Sequence, residues 1–226
     1  MALIQKRLNR RELEWVRKRV AREAARLLYE GAVDEYIDAK RLAARRLGVD
    51  VMPSNREVAI ELDRIGDELE GEEKLHRLKR LREEALKVME AIEDLEPRLI
   101  GSVWRGNIKR ESDIDIAVLG TTDPEEVIER LKEAGIEVLD VEEVVITERG
   151  GKPLDIPEHY VNIKVRTPGG EKAEIGVTVS SPELERKGRV DLGRCDFFGD
   201  KITGLSVEEL RKLLREDPYR KFIPRG

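Results

Sequence analysis

Asp113 and Asp115 stand one residue apart, bracketed by the apolar Ile114, Ile116 and Val118. In an extended strand alternate side chains share a face, so both carboxylates point one way and the apolar partners point into a core. Two carboxylates held side by side repel each other unless a cation joins them, and hard oxygen donors suit Mg²⁺ or Mn²⁺. Upstream, Gly101-Ser102 sits at a turn after a short β segment, offering backbone N–H groups and a hydroxyl to a phosphate. Arg105, Lys109 and Arg110 follow closely. Such bases can steady a triphosphate, and for Lys109 and Arg110 plain solubility is an equal reading. A phosphate cradle beside a hard-cation site is the equipment of nucleotidyl transfer, in which metal activates an attacking hydroxyl and shields the leaving pyrophosphate.

These residues need a scaffold, and the pattern of the chain changes at Pro97. Before it, apolar residues recur at helical steps. Leu13, Val16, Val20, Ala24 and Leu27 make one stripe, and a second helix is expected over 34–47, ending at Gly48. Ser54 and Glu57 form a capping box for a third helix, and a long fourth helix runs from Gly71 towards Pro97. After Pro97 come a short strand to Ile100, a strand from Ile114 to Leu119, a helix opened by Asp123-Pro124 and a strand from Ile136 to Thr147. Residues 148–157, with Gly150-Gly151 and two prolines, are expected to be a loop. A hairpin follows, 160–166 and 172–179 about Pro168-Gly169-Gly170, and Ser206 with Glu209 caps a last helix. The expected fold is α+β, with a small mixed sheet in residues 97–226 preceded by an all-helical domain in residues 1–96.

On Gly101, Ser102, Gly106, Ser112, Asp113, Ile114 and Asp115, the chain resembles the DNA polymerase β-like nucleotidyltransferases. Their signature is Gly-Ser, a spacer with a further glycine, then Asp-x-Asp among apolar neighbours. The likeness spans about Arg98 to Val179, with a palm-type sheet as the implied fold. It implies metal-dependent transfer of a nucleoside monophosphate from a nucleoside triphosphate, with Gly101, Ser102, Arg105, Gly106 and Ser112 at the nucleotide and Asp113 and Asp115 at Mg²⁺. The family places a third carboxylate on a neighbouring strand. The hairpin from His159-Tyr160-Val161 to Ala173-Glu174-Ile175 resembles that of archaeal CCA-adding enzymes, with Glu174 where an aspartate is usual. Glu174 is thus the implied third catalytic and metal residue, and Asp155 is the next choice. The N-terminal helices resemble those of uncharacterised archaeal relatives. Few residues follow the hairpin, which argues against a tRNA-measuring body. The acceptor is left open among an RNA end, a small molecule and a protein hydroxyl. A non-catalytic nucleotide- or RNA-binding module and an antitoxin-like partner protein are the rival readings.

Composition narrows the classes further. Charged residues are 40% of the chain, yet the net charge is only −5, so bulk attraction to nucleic acid or membrane is not implied. A single glutamine, Gln5, amid abundant Glu, Lys and Arg fits the bias of thermophile proteins. One cysteine, Cys195, permits no intrachain disulfide and has no partner at zinc-ligand spacing. With no long apolar run and no signal-peptide pattern, a cytoplasmic location away from membranes is expected. Lys6, Arg7, Arg10, Arg11, Arg17, Lys18, Arg19 and Arg22 make a basic stripe that suits an RNA backbone or a solvated face equally. Trp104 suits packing better than base stacking, His159 suits hairpin-edge packing and a substrate contact equally, and His76 suits a helix surface. No pattern in the sequence specifies an oligomeric state.

Overall fold

The computed structural model describes residues 9–149, 152–195 and 198–224. These form two compact units. The first holds helices α1 (Arg10–Tyr29), α2 (Tyr36–Arg46) and α3 (Asn55–Glu70). Capping boxes start α1 at Asn9/Glu12 and α3 at Ser54/Glu57, where each side chain takes up a backbone N–H that the helix leaves unpaired. Val20, Ala24, Leu27, Ala39, Ala43, Val58, Leu62 and Ile65 meet in a core rich in alanine, which lets the helices approach closely. Of the expected stripe, Val20, Ala24 and Leu27 are buried, while Leu13 lies at the exposed end. Three residues of the basic stripe are matched within this unit: Arg17 pairs with Glu57 at 2.8 Å, Arg22 with Glu68 at 2.6 Å and Lys18 with Glu14 at 3.4 Å. Lys6 and Arg7 lie outside the described residues. No helix among those residues is long and apolar enough to cross a membrane.

The second unit begins at Glu72, so helix α4 (Glu72–Ala91) belongs with the sheet rather than with the helices before it. The boundary expected at 96/97 followed the change from helix to strand. The packing follows the apolar face of α4 instead: Leu78, Leu81, Ala85, Val88, Met89 and Ile92 enter the sheet's core. A 3₁₀ turn then leads to β1 (Pro97–Ile100), α5 (Gly101–Arg105), β2 (Ile114–Val118) and α6 (Pro124–Glu133). After these come β3 (Glu137–Arg149), β4 (Lys152–Arg166), β5 (Lys172–Ser180), α7 (Pro182–Lys187) and α8 (Val207–Glu216). Asp123 and Ser206 cap α6 and α8 through their side chains, as expected. The short α7, capped by Ser181, was not anticipated.

The five strands lie in the order β1-β2-β5-β4-β3, with β2 and β5 parallel and every other pair antiparallel. Ile114, Ile116 and Val118 of β2, Ile163 and Val165 of β4 and Ile175 and Val177 of β5 share one face. That face packs with α4, with Val127 and Leu131 of α6 and with Leu210 of α8. The segment 148–157, expected to be a loop, instead prolongs the β3–β4 ribbon as far as it is described, with Glu148 opposite Pro153. Pairing of β4 with β5 starts at His159, so the part of β4 holding Pro153 and Pro157 has a free edge, where a missing N–H is tolerated. Gly150 and Gly151 lie outside the described residues.

Candidate active site

Parallel pairing of β2 with β5 sets Asp115 directly beside Glu174, and strand alternation turns both away from the core. Asp113 stands just ahead of β2 rather than inside it, and it is exposed. Its charge still reaches Asp115. Burial first, then the charges of Glu174 and Asp113, push the Asp115 carboxyl up to about 6. Glu174 accepts a hydrogen bond from the Asn162 amide of β4 at 2.9 Å, which fixes one of its oxygens. Asp115 makes no side-chain hydrogen bond and no ion pair among the described residues. A half-buried carboxylate without a donor, flanked by two more carboxylates, is a costly arrangement for folding alone.

The Gly101-Ser102 turn closes over this group. Gly101 has φ +67°, and a Cβ built there would lie 1.9 Å from Asp115 Oδ2. Only glycine lets the backbone pass so near the carboxylate while holding a left-handed conformation. Ser102 is in the first turn of α5, and its carbonyl accepts from Gly106 N at 2.8 Å and Asn107 N at 3.2 Å. Ser112 sits in the turn before β2, where its hydroxyl accepts from Lys109 N at 2.8 Å.

Two residues of the expected nucleotide set have other engagements. Arg105 is buried, donates to Asp200 at 2.8 Å and to the Phe222 carbonyl at 3.1 Å, and lies over the Trp104 ring. Its guanidinium holds the C-terminal segment rather than lining the cleft. Gly106, at φ +79°, ends α5, and a Cβ there would press on the Arg220 carbonyl at 3.1 Å. Trp104 packs on Phe222, as the packing reading expected. Asp155 is exposed on the part of β4 beyond the reach of β5 and does not join Asp115.

Arg82 was missed by sequence reasoning, because one arginine among many on a charged helix carries no signal. It is fully buried and donates to the carbonyls of Val103, Trp104, Pro218 and Arg220 at 2.7–3.0 Å. Burial lowers its pKa to about 10, so it stays charged at neutral pH. It ties α4 to the end of α5 and to the C-terminal segment, and so steadies the turn that carries Ser102.

A cavity of about 390 Å³ opens beside Asp115 and Glu174 and continues over β5 and β4. No three or more His, Cys, Asp or Glu side chains among the described residues are already arranged to hold a metal ion. The donor set nevertheless fits one in kind: oxygen atoms only and, among the described residues, one carboxylate without a partner and no cation lining the cavity.

Residues 78–167 match the family model described as a nucleotidyltransferase domain. That stretch is thus similar to nucleotidyltransferase domains. It runs from α4 to the end of β4, taking in Gly101-Ser102, Asp113 and Asp115. It stops before β5, so Glu174 lies outside it. Among curated proteins, none matches the chain.

Proposed function

We propose that the chain is a divalent-cation-dependent nucleotidyltransferase that moves a nucleoside monophosphate from a nucleoside triphosphate to an acceptor hydroxyl, with release of pyrophosphate. The observation that carries this reading is Asp115. It is held without a protein donor beside Glu174, against the Gly101 turn, within the stretch similar to nucleotidyltransferase domains. Asp113, Asp115 and Glu174 would hold Mg²⁺ or Mn²⁺, which when bound lowers the cost of the charge that builds on the phosphoryl oxygens. The backbone N–H groups of the Gly101-Ser102 turn and the Ser102 hydroxyl orient the triphosphate. Glu174, fixed by Asn162, is placed to take the proton of the incoming hydroxyl.

Glu174→Gln separates this reading from that of a nucleotide-binding module without catalysis. Gln keeps an acceptor for the Asn162 amide but cannot take a proton. Nucleotide affinity, measured by calorimetry with a non-hydrolysable triphosphate and Mg²⁺, is expected to stay within a few fold. Transfer of labelled nucleotide is expected to fall on the order of a hundredfold or more. Unchanged transfer in Glu174→Gln removes this residue from the mechanism. Tight nucleotide binding without transfer by the wild type favours the binding module.

A further inference from the structure

Trp15 is 59% exposed on α1 and belongs to neither hydrophobic cluster of the described residues. An indole left in water forgoes the burial that a tryptophan normally gains. At about 3.6 residues per turn, Arg11, Trp15, Lys18, Arg19 and Arg22 fall within a sector of roughly 100° of this helix. Val20, Ala24, Leu27 and Leu28 bury the opposite side in the core of the helical unit. No acidic residue of α1 stands inside the sector, and Glu12 and Glu14 flank it. The Arg19 guanidinium lies over the Trp15 ring, 4.7 Å from its centre.

The cations of this face differ in how firmly they are held. Neither Arg11 nor Arg19 makes an ion pair among the described residues. Lys18 has Glu14, one turn back at 3.4 Å, with both side chains more than half exposed, and salt readily screens such a pair. Arg22 and Arg26 are taken, by Glu68 at 2.6 Å and by Glu23 at 3.3 Å. The available charge is thus confined to Arg11, Lys18 and Arg19, with the indole in their midst. Arg11 and Arg19 are about 12 Å apart along the axis, room for about two or three nucleotides of an extended strand. Cations follow phosphates, and an indole face accepts any base. A base needs the flat face that the Arg19 guanidinium covers; once displaced, Arg19 is free to reach a phosphate. A duplex hides its base faces from such a platform. At a protein interface an anchoring tryptophan is ringed by side chains that exclude water, whereas its neighbours on this face are long, exposed cations.

We propose that the exposed face of α1 binds single-stranded nucleic acid, with Trp15 stacked on a base and Arg11, Lys18 and Arg19 on the flanking phosphates. This binding stands independently of the proposed nucleotidyl transfer.

The test uses the full chain without nucleotide. Its probes are a short oligouridylate, the deoxy strand of the same length, an abasic strand with as many phosphates, the duplex with oligoadenylate, and oligoglutamate of equal charge. Oligouridylate should bind in low salt and quench tryptophan emission, and the quenching should vanish in Trp15→Tyr while most of the affinity remains. Trp15→Ala should weaken oligouridylate on the order of tenfold or more, and the abasic strand by less than about twofold. Arg11→Gln and Arg19→Gln should each lower the slope of log affinity against log salt by about 0.7. Arg41→Gln, at an exposed arginine of α2 paired with Asp38, should change neither reading. Trp15, Arg11 and Arg19 are exposed, so each variant should melt with the wild type. A preference between the ribo and deoxy strands supports the proposal and names the nucleic acid. No binding of either strand in low salt, or equal affinity for base-bearing and abasic strands, overturns it. So does an equal loss in Arg41→Gln, or tighter binding of the duplex or of oligoglutamate.

Discussion

Asp115→Asn should make the metal-free protein more stable at neutral pH, because the wild-type carboxylate is held against its own preference. In the fold its pKa rises from the ordinary 3.8 to about 6, driven by burial, then by Glu174 and Asp113. For an acid raised on folding, the native state keeps its proton over a range where the unfolded chain has lost it. The stabilising contribution is therefore complete below about pH 4 and is lost as pH climbs through about 6. The gap corresponds to about 3 kcal/mol. Asn is isosteric and cannot ionise, and Asp115 makes no side-chain hydrogen bond that the amide would break. The variant should therefore match the wild type near pH 4 and exceed it by up to about 3 kcal/mol at pH 8. Mg²⁺ should reverse the order at pH 8 by stabilising only the wild type, and should do little below pH 5. The assay is denaturant unfolding followed by Trp104, which is buried in the sheet unit, in a Trp15→Phe background that silences the exposed tryptophan of the helical unit. A difference between variant and wild type that does not change with pH, or a variant that is less stable at pH 8, would refute the reasoning.

Two other substitutions probe the supports of the site. Gly101→Ala should cost about 2 kcal/mol or more through its left-handed backbone and the collision of Cβ with the Asp115 carboxylate, and should abolish the Mg²⁺ response in thermal melts. A variant as stable and as metal-responsive as the wild type would show that the turn does not abut Asp115. Arg82→Met should cost about 4 kcal/mol, since carbonyls of α5 and the C-terminal segment lose a charged donor. A loss below about 1 kcal/mol in chemical unfolding would mean that water takes its place.

What was legible in the sequence was local. The helix caps at Ser54, Asp123 and Ser206 announce themselves within three residues, because the interaction that makes a cap spans that distance. The pair Asp113/Asp115 and the Gly101-Ser102 turn were visible for the same reason. What depended on packing was not. Arg105 and Gly106 stand within four residues of Ser102, yet α5 turns them towards Phe222 and Arg220, which lie over a hundred positions later. The assignment of α4 went astray because helical periodicity tells which face is apolar and not which core it enters. The ribbon about Pro153 and Pro157 looked like a loop, since a strand edge free of a partner cannot be seen in the sequence that will form it. Glu174 came from resemblance to a family hairpin. Its place beside Asp115 is created by a parallel pairing between strands far apart in the chain, and no local pattern encodes that.

The central claim is that the chain transfers a nucleoside monophosphate at Asp115 and its neighbours with a divalent cation. The most direct measurement follows α- and γ-labelled nucleoside triphosphates in parallel, with a mixed set of small and polymeric acceptors, in Mg²⁺ and in chelator. The account predicts that the α-label enters an acceptor while the γ-label leaves as pyrophosphate. It also predicts that both are lost in chelator and in Asp115→Asn, although that variant remains folded. Transfer of the γ-label to an acceptor, or α-label transfer that survives chelator or Asp115→Asn, would contradict it.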